Sequence, residues 1–244
     1  NVKGTIMAEG KRDSLITFSA YSNGWEKLIL NTGLISYAKI EKLNGNFVFE
    51  TNSSNLLVSN TIIQNNNPYN LFRTWAYFRN CNIIHNNIGS QFIWGFENMN
   101  LEHTNISQNK GGISPLRCGN GNTSSNFKGN NVYNNLSYNL KGTTGTPDNI
   151  ATFNSNTYYG TSQENKINNR IWDFFDDSYY GIVSIENFSK TPDSLAHGIA
   201  WKVDINNTSI NKYDNPHDSQ SGLGVIGSET LQFDVHFNRA MDTS

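Results

Sequence analysis

The sequence repeats a short motif every 21 to 26 residues, and this period constrains the fold more than any other feature. The motif is a polar residue, usually Asn, then Ile or Val, two variable residues and a closing Asn. It occurs at 61–65, 82–86, 105–109 and 131–135, and a copy at 38–42 lacks the closing Asn. A repeat of this length, rich in β-branched residues and without helical periodicity, is typical of a solenoid.

The repeat predicts an all-β fold, a right-handed parallel β-helix, over about residues 34–160. One strand of each coil would pair with the equivalent strands of the neighbouring coils, so that inward side chains stack in columns. Stacked amides at the corners would explain the 40 Asn residues without a catalytic role. We expect one inward column to contain Ile40, Ile62, Ile83, Ile106 and Val132.

The sequence departs from the repeat after residue 150. Tyr159-Gly160 is followed by Ile171-Trp172-Asp173-Phe174-Phe175-Asp176-Asp177 and then by Gly181-Ile182-Val183. This run resembles the closing coil of bacterial right-handed β-helix repeat proteins, with its aromatic–Gly pair, I-x-D-x-x-D-D segment and G-x-V strand. The resemblance implies an aromatic cap over the open end of the core, formed by Trp172, Phe174 and Tyr180. Asp173, Asp176 and Asp177 would bind backbone N–H groups of turns.

Apolar and polar residues alternate at 200–206 and 231–237, which predicts a short antiparallel β segment. The run from Phe233 to Asp242 resembles the first strand of Ig-like domains in bacterial surface-layer and adhesion proteins. We therefore expect a β-helix with its closing coil at 1–188. Residues 189–244 would be a linker and the incomplete start of an Ig-like module of a larger multi-domain chain.

Charge and hydropathy bear on partners and location. The formal net charge of −2 gives no electrostatic reason to expect nucleic acid, and no run of about 18 apolar residues predicts direct insertion into a membrane. The two resemblances together are typical of large secreted surface proteins of Bacteroidota-like bacteria. They imply an extracellular or cell-surface location.

The acidic residues do not predict a catalytic or metal site. No Asp lies between Asp13 and Asp148, which argues against a calcium-dependent lyase site in the repeats. His85 and His103 are 18 residues apart and are interpreted as solvated positions of the solenoid surface, the alternative being an incomplete metal site beside Glu102. We expect no catalytic residue, metal or cofactor.

Aromatic residues at the ends of two successive coils are the candidates for ligand binding. Exposed aromatic rings can stack on the apolar faces of sugars, and neighbouring Arg and Gln side chains can bind hydroxyl or carboxylate groups. The alternative is that alternate aromatic side chains point into the core and the others cover a loop. The candidate residues are Trp75, Tyr77, Trp94 and Phe96, with Arg73, Arg79 and Gln91 beside them.

Three functions remain open on the sequence. The first is a non-catalytic scaffold or adhesin segment, whose partner is polysaccharide or another surface protein. The second is a polysaccharide-degrading enzyme, a lyase or glycoside hydrolase, with a site near Arg73, Trp75, Trp94 and Glu97. The third is a structural spacer or the cargo of a larger secreted machine.

The sequence leaves the state of the two Cys residues open. Cys81 and Cys118 could form a disulfide or be two buried apolar residues.

Overall fold

The computed structural model describes residues 5–20, 24–30, 32–50, 55–73, 76–89, 93–95, 100–115, 127–142, 150–153, 156–196, 203–205 and 235–237. The chain divides into two compact units, Asn1–Ala200 and Trp201–Ser244. The predicted boundary after residue 188 stays a prediction.

The described residues are nearly all in strands, turns and short connections. The first four coils contain β1 (Thr5–Glu9), β2 (Ile16–Phe18), β3 (Leu28–Ile29), β4 (Thr32–Ser36), β5 (Ala38–Ile40), β6 (Phe49–Glu50), β7 (Leu56–Ser59), β8 (Ile62–Gln64), β9 (Phe72–Arg73), β10 (Tyr77–Arg79), β11 (Asn82–Ile84) and β12 (Ile93–Gly95). The remaining elements are β13 (Asn100–Glu102), β14 (Asn105–Ser107), β15 (Ile113–Pro115), β16 (Phe127–Lys128), β17 (Asn131–Tyr133), β18 (Leu140–Lys141), β19 (Ile150–Thr152), α1 (Glu164–Asn168), β20 (Ile171–Trp172), β21 (Ile182–Ser184), β22 (Val203–Ile205) and β23 (Val235–Phe237).

Up to β18, strands that lie three apart in the chain pair in parallel, which makes the first unit a parallel β-solenoid, as the repeat predicts. Sheet 1 has the order β1-β4-β7-β10-β13-β16, and sheet 2 has the order β2-β5-β8-β11-β14-β17. Sheet 3 consists of β3-β6-β9 and β12-β15-β18-β20, in which β9 and β12 are in contact. The one helix of the described residues, α1, is an exception to the all-β prediction, and it buries Ile167.

The corners between the sheets explain part of the Asn content. In most coils one of the first two residues after a strand of sheet 1 or sheet 2 has a positive φ, a conformation that Asn tolerates better than most residues. The corner from sheet 1 to sheet 2 has Tyr37, Asn60, Asn80, His103 and Gly129 in this conformation. The corner after sheet 2 has Lys42, Asn65, His85, Gln108 and Asn134.

A second set of Asn residues lies inside the solenoid and forms a ladder. The side chain of Asn86 donates to the backbone oxygen of Ile63 at 2.9 Å and to Oδ1 of Asn109 at 2.9 Å. Its own Oδ1 accepts from the backbone N–H of Asn66 at 3.1 Å. The ladder therefore binds each coil to the next and satisfies polar groups in the interior. Its members are Asn66, Asn86, Asn109, Asn135 and Asn139.

The inward column of sheet 2 confirms the expected register except in one coil. Ile40 pairs with Ile63, not with Ile62, and Ile63 pairs with Ile83. The column continues through Ile106 and Val132, and all five side chains of the column are fully buried. The prediction of Ile62 was wrong by one residue, because Thr61 fits the polar first position of the motif, whereas the observed register puts Ile62 in that position, opposite Asn82.

The three aromatic residues predicted to cap the core at the end of the solenoid do not belong to the buried core. The buried residues there include the aliphatic Ile171, Val183 and Ile185 and two other aromatic residues, Phe153 and Tyr159. Phe174 is 37% exposed, and neither Trp172 nor Tyr180 belongs to the hydrophobic core. A tight turn, in which the backbone oxygen of Asp173 accepts from two N–H groups, keeps residues 174–179 at the surface.

The acidic residues of this turn bind backbone N–H groups, as the sequence predicts. Asp173 is 5% exposed and accepts from the N–H groups of Phe175 at 3.0 Å and Val183 at 2.8 Å. Asp177 accepts from the N–H of Tyr179 at 3.0 Å. Such bonds close turns and leave these carboxylates a structural role.

The second unit is described only by two strands. β22 and β23 pair antiparallel, with Val203 opposite Phe237 and Ile205 opposite Val235. This agrees with the antiparallel pairing that the alternating pattern predicts for these segments. No helix in the described part of the chain has the length and hydrophobicity required to cross a membrane.

Cys81 is a free thiol and is fully buried at the corner between β10 and β11. Burial raises the pKa of Cys81 to about 12, so the group stays protonated and unreactive. Cys118 lies outside the described residues.

Candidate functional site

The predicted ligand-binding residues do not all lie in one sheet. Tyr77 begins β10 in sheet 1, whereas Arg73 ends β9 and Trp94 is the central residue of β12, both in sheet 3. In the ladder of sheet 3, Trp94 lies opposite Ser114 and Arg73 lies opposite Glu50. Trp75, Gln91 and Phe96 lie outside the described residues.

Part of the aromatic segment faces the core, as one of the two interpretations expects. Phe72 and Phe78 are buried, and their ring centroids are 4.6 Å apart. Both rings also pack against Phe49 of the preceding coil, at 6.0 and 5.9 Å. Because side chains alternate along a strand, Tyr77 lies on the outer face of sheet 1, where it is half-buried.

An apolar strip runs along the outer face of sheet 1 and ends at Tyr77. Met7 pairs with Leu34, Leu34 with Leu57 and Leu57 with Tyr77, so each coil contributes one side chain. Met7 is 64% exposed, and the other three side chains are half-buried. We name these four residues the apolar strip. A row of side chains at one strand spacing, about 4.8 Å, forms a straight and shallow surface.

A charged cluster adjoins the apolar strip at Tyr77. The Tyr77 hydroxyl donates a hydrogen bond to Oε2 of Glu102, and Nε of Arg79 lies 3.4 Å from the same oxygen. Arg79, Glu102 and Lys128 are in register on neighbouring strands, and Lys128 is exposed. The hydrogen bond from Tyr77 and the charges of Arg79, His103 and Lys128 lower the pKa of Glu102, although its burial opposes this.

The same contacts act on Tyr77 in the opposite direction. Burial, and then the hydrogen bond to the Glu102 carboxylate, raise the pKa of the Tyr77 hydroxyl. Tyr77 is therefore a neutral hydrogen-bond donor and Glu102 is an ionised acceptor at neutral pH. The pair fixes the orientation of the phenol ring beside the apolar strip.

His103 joins the charged cluster to the segment that follows the closing coil. Its Nδ1 lies 2.5 Å from Oδ2 of Asp193, and its Nε2 lies 3.7 Å from Oε1 of Glu102. Asp193 is held by Asn131 at two points, since its N–H donates to Oδ1 of Asn131 at 2.8 Å and its backbone oxygen accepts from the Asn131 amide at 3.1 Å. The N–H of Leu195 also donates to Oδ1 of Asp193, at 2.9 Å.

Gly129 makes room for the contact between His103 and Asp193. Its φ is +61°, and a Cβ at this position would lie 2.5 Å from Oδ2 of Asp193 and 2.8 Å from Nδ1 of His103. No larger residue fits this corner without displacing one of the two groups.

His85 does not lie beside His103. It lies at the other corner, after sheet 2, so the two His residues do not belong to one column.

Arg79 was predicted as a possible hydrogen-bond donor to a ligand, but Glu102, Lys128 and Asp193 were not predicted as ligand-binding residues. Arg79, Glu102 and Lys128 recur at intervals of 23 and 26 residues, the period of the repeat, so their alignment was a usable signal. Asp193 gave no signal, because it lies 90 residues from its partner and outside the repeats. Glu97, named with the enzyme interpretation, lies outside the described residues.

The arrangement offers a neutral phenol, exposed cationic side chains and a row of apolar contacts. Among the described residues, no three His, Cys, Asp or Glu side chains are grouped as metal ligands. Asp193 and Glu102 lie at opposite nitrogens of His103, so they cannot chelate one ion together with it.

Comparisons with protein-family models, with curated proteins and with solved structures find no match to this chain.

Proposed function

We propose that this chain is a non-catalytic scaffold or adhesin segment of a secreted or cell-surface protein, and that it binds polysaccharide on the outer face of sheet 1. The observation that carries the proposal is the apolar strip, which ends at Tyr77 beside a cluster of hydrogen-bonding groups. A linear glycan presents apolar C–H faces and polar edges in alternation. A straight apolar row bordered by polar side chains is complementary to such a chain.

The parallel ladder of the solenoid supports a binding surface of this kind. Each side chain of the strip is attached to a strand that is hydrogen-bonded on both sides or, for Met7, on one side. The internal Asn ladder holds the coils at a fixed spacing. A rigid surface loses little conformational entropy when it binds an extended polymer.

The proposal also includes the wider setting implied by the two sequence resemblances. In this setting the solenoid is a right-handed β-helix of a Bacteroidota-like surface protein. β22 and β23 belong to an Ig-like module, and the whole chain is longer. The antiparallel pairing of the two strands is compatible with such a module.

Retention on polysaccharide tests the proposal. Affinity electrophoresis in gels with embedded xylan, dextran or polygalacturonate measures how far the protein is retarded. Tyr77→Ala should reduce the retardation, Tyr77→Phe should largely preserve it, and Tyr69→Ala should have no effect. Tyr69 is the control because it is 61% exposed and lies outside sheet 1.

The two Trp residues predicted from the sequence are tested in the same gels. Trp75→Ala with Trp94→Ala should reduce retention, and Asp176→Asn should leave it unchanged. Failure of every tested glycan to retard the wild-type protein would overturn the glycan proposal. It would leave the interpretation of the chain as a structural spacer or cargo.

A polysaccharide-degrading enzyme is the second candidate, and one observation favours it. His103 is oriented by Asp193 and lies near Glu102, and Tyr77 donates to Glu102. A His held by a carboxylate beside a phenol and a second carboxylate has the components of acid–base catalysis. Release of new reducing ends from a retained glycan, lost in His103→Gln, would establish this activity. Retention without any chain cleavage would exclude it for that glycan.

A further inference from the structure

We propose that Arg79 and Lys128 give the glycan-binding face of sheet 1 a preference for anionic sugars, whose carboxylate or sulfate groups they bind. This inference rests on the proposed function and deepens it, since it names the chemical class of the ligand. The formal charge of the whole chain, −2, gives no general attraction for anions. The preference therefore has to come from a local arrangement of charges.

The register of sheet 1 places the two cations on either side of Glu102. Arg79 pairs with Glu102, and Glu102 pairs with Lys128. The two cationic residues are separated by two strand spacings, roughly 10 Å along the solenoid axis. They belong to the column beside the apolar strip, because Tyr77 and Arg79 are two residues apart in β10.

The acidic groups of the cluster already have partners within the protein. The side chain of Glu102 is 19% exposed and interacts with Tyr77, Arg79 and His103. The side chain of Asp193 is 16% exposed, and its two oxygens bind His103 and the N–H of Leu195. The negative charges are therefore screened from a ligand that approaches the sheet.

The cationic groups are more accessible. The side chain of Arg79 is 54% exposed, and only its Nε lies near Glu102 among the contacts described. The terminal nitrogens of a guanidinium form a planar fork that fits a carboxylate or sulfate with two parallel hydrogen bonds. Lys128 is exposed and adds a flexible point charge on the next coil but one.

The two sets of side chains therefore contact different parts of the sugar. The apolar strip and the ring of Tyr77 contact C–H groups, and the charged column contacts the acidic substituent at the edge of the sugar. A neutral glycan can use the apolar contacts and ordinary hydrogen bonds to its hydroxyl groups, but not the charge-assisted contacts. An anionic glycan uses both sets, so the charge affects affinity without being required for retention.

Matched pairs of ligands and variants test this inference. The ligands are polygalacturonate against its methyl ester, and dextran sulfate against dextran, so that each pair differs in the anionic group. The variants are Arg79→Gln with Lys128→Gln, and the control is Lys166→Gln with Lys190→Gln. The control removes the same charge from two exposed residues outside sheet 1.

We expect the wild type to bind at least one anionic polymer about tenfold more tightly than its neutral counterpart, as fits one or two charge-assisted hydrogen bonds. The charge-removing variant should lose this difference and keep its affinity for the neutral polymer, and the control should keep the difference. Added salt should weaken the binding of the anionic polymers and leave the binding of the neutral polymers unchanged. If polygalacturonate is the one anionic polymer that is preferred, the site binds carboxylates. If dextran sulfate is the one that is preferred, the site binds sulfates.

Equal binding of both members of each pair by the wild type would overturn the inference and leave the proposed function intact. If the control variant lost the preference for the anionic polymer to the same extent, this would also overturn the inference, because the preference would then depend on the total charge of the protein. Binding of none of the four polymers would contradict the inference, and lack of retention on xylan as well would contradict the proposed function. Arg79→Lys gives a further check, since it keeps the charge and removes the planar fork.

Discussion

Nδ1 of His103 lies 2.5 Å from Oδ2 of Asp193, and this contact joins two parts of the chain that are 90 residues apart. His103 follows β13 at a corner of the repeats, and Asp193 lies in the segment after the closing coil. The contact fixes the end of the first unit to the corner between sheets 1 and 2. It also completes the charged cluster beside Tyr77.

Asp193→Asn should destabilise the segment 189–196 and lower the free energy of unfolding by about 2 kcal/mol, because a charge-assisted hydrogen bond is lost in a half-buried site. Gly129→Ala should have a similar effect, since its Cβ would lie 2.5 Å from the Asp193 carboxylate. Amide hydrogen exchange of residues 189–196 is the measurement. Gly89→Ala and Glu186→Gln are the controls, and equal exchange in all four variants would contradict the prediction.

The sequence could not predict this contact for a physical reason. The repeat specifies interactions between equivalent positions of neighbouring coils, so it identifies the strands and corners around His103. Asp193 has no equivalent position in another coil, and nothing in the sequence indicates which corner it meets. The two contacts with Asn131 place it, and they depend on the path of the chain after β21.

The one-residue error at Ile62 leads to a sharper prediction about register. Ile62 pairs with Asn82, and Asn105 donates to Oδ1 of Asn82 at 2.6 Å in the next coil. An Asn at position 62 could therefore extend a column of Asn residues, whereas an Asn at position 63 would enter the apolar column. Ile63→Asn should cost roughly 4 kcal/mol of unfolding free energy, since it buries an unpaired amide.

Ile62→Asn should cost roughly 2 kcal/mol less than Ile63→Asn, as measured by urea denaturation of both variants under the same conditions. The two residues are adjacent and chemically identical, so each is the matched control of the other. A larger loss from Ile62→Asn would show that the register expected from the motif is the correct one. Sequence alone could not decide this, because an Asn follows three residues after both Ile62 and Ile63, and the polar Thr61 favours the alignment that the structure does not have.

The Asn ladder permits a comparison between two neighbouring residues with the same side chain. Asn86 is buried and bonds to two coils, whereas Asn87 is exposed and bonds to Oδ1 of Asn67 at 2.7 Å. Asn86→Ala should lower the free energy of unfolding by roughly 3 kcal/mol, because it leaves buried backbone groups without partners. Asn87→Ala should cost less than about 1 kcal/mol, because water replaces its partner. Similar values for the two variants in thermal or urea unfolding would show that the ladder is not a source of stability.

The composition predicted the role of the ladder but not its members. Stacked amides were expected at equivalent corners of the coils, and the ladder contains the closing Asn of three motifs, namely Asn86, Asn109 and Asn135. In the earlier coil the ladder uses Asn66, and Asn65 is the corner residue with positive φ. Both positions favour Asn for different physical reasons, so a run of Asn residues does not show which one points inward.

Glu102 makes the stability of the first unit depend on pH in the acidic range. Its pKa in the folded protein is lowered from 4.5, chiefly by the hydrogen bond from Tyr77, so folding favours the carboxylate. The stability that this provides is complete above the unfolded-state pKa and is lost as the pH falls through the folded-state pKa. The difference in unfolding free energy between wild type and Glu102→Gln should therefore be largest near neutral pH and should shrink on acidification.

Tyr77→Phe should move this loss of stability to higher pH, because it removes the main cause of the lowered pKa of Glu102. Urea denaturation at a series of pH values checks both expectations, with Glu186→Gln as the control for removal of an exposed carboxylate. A difference that grows as the pH falls would mean that Glu102 is protonated more readily in the folded protein than in the unfolded chain.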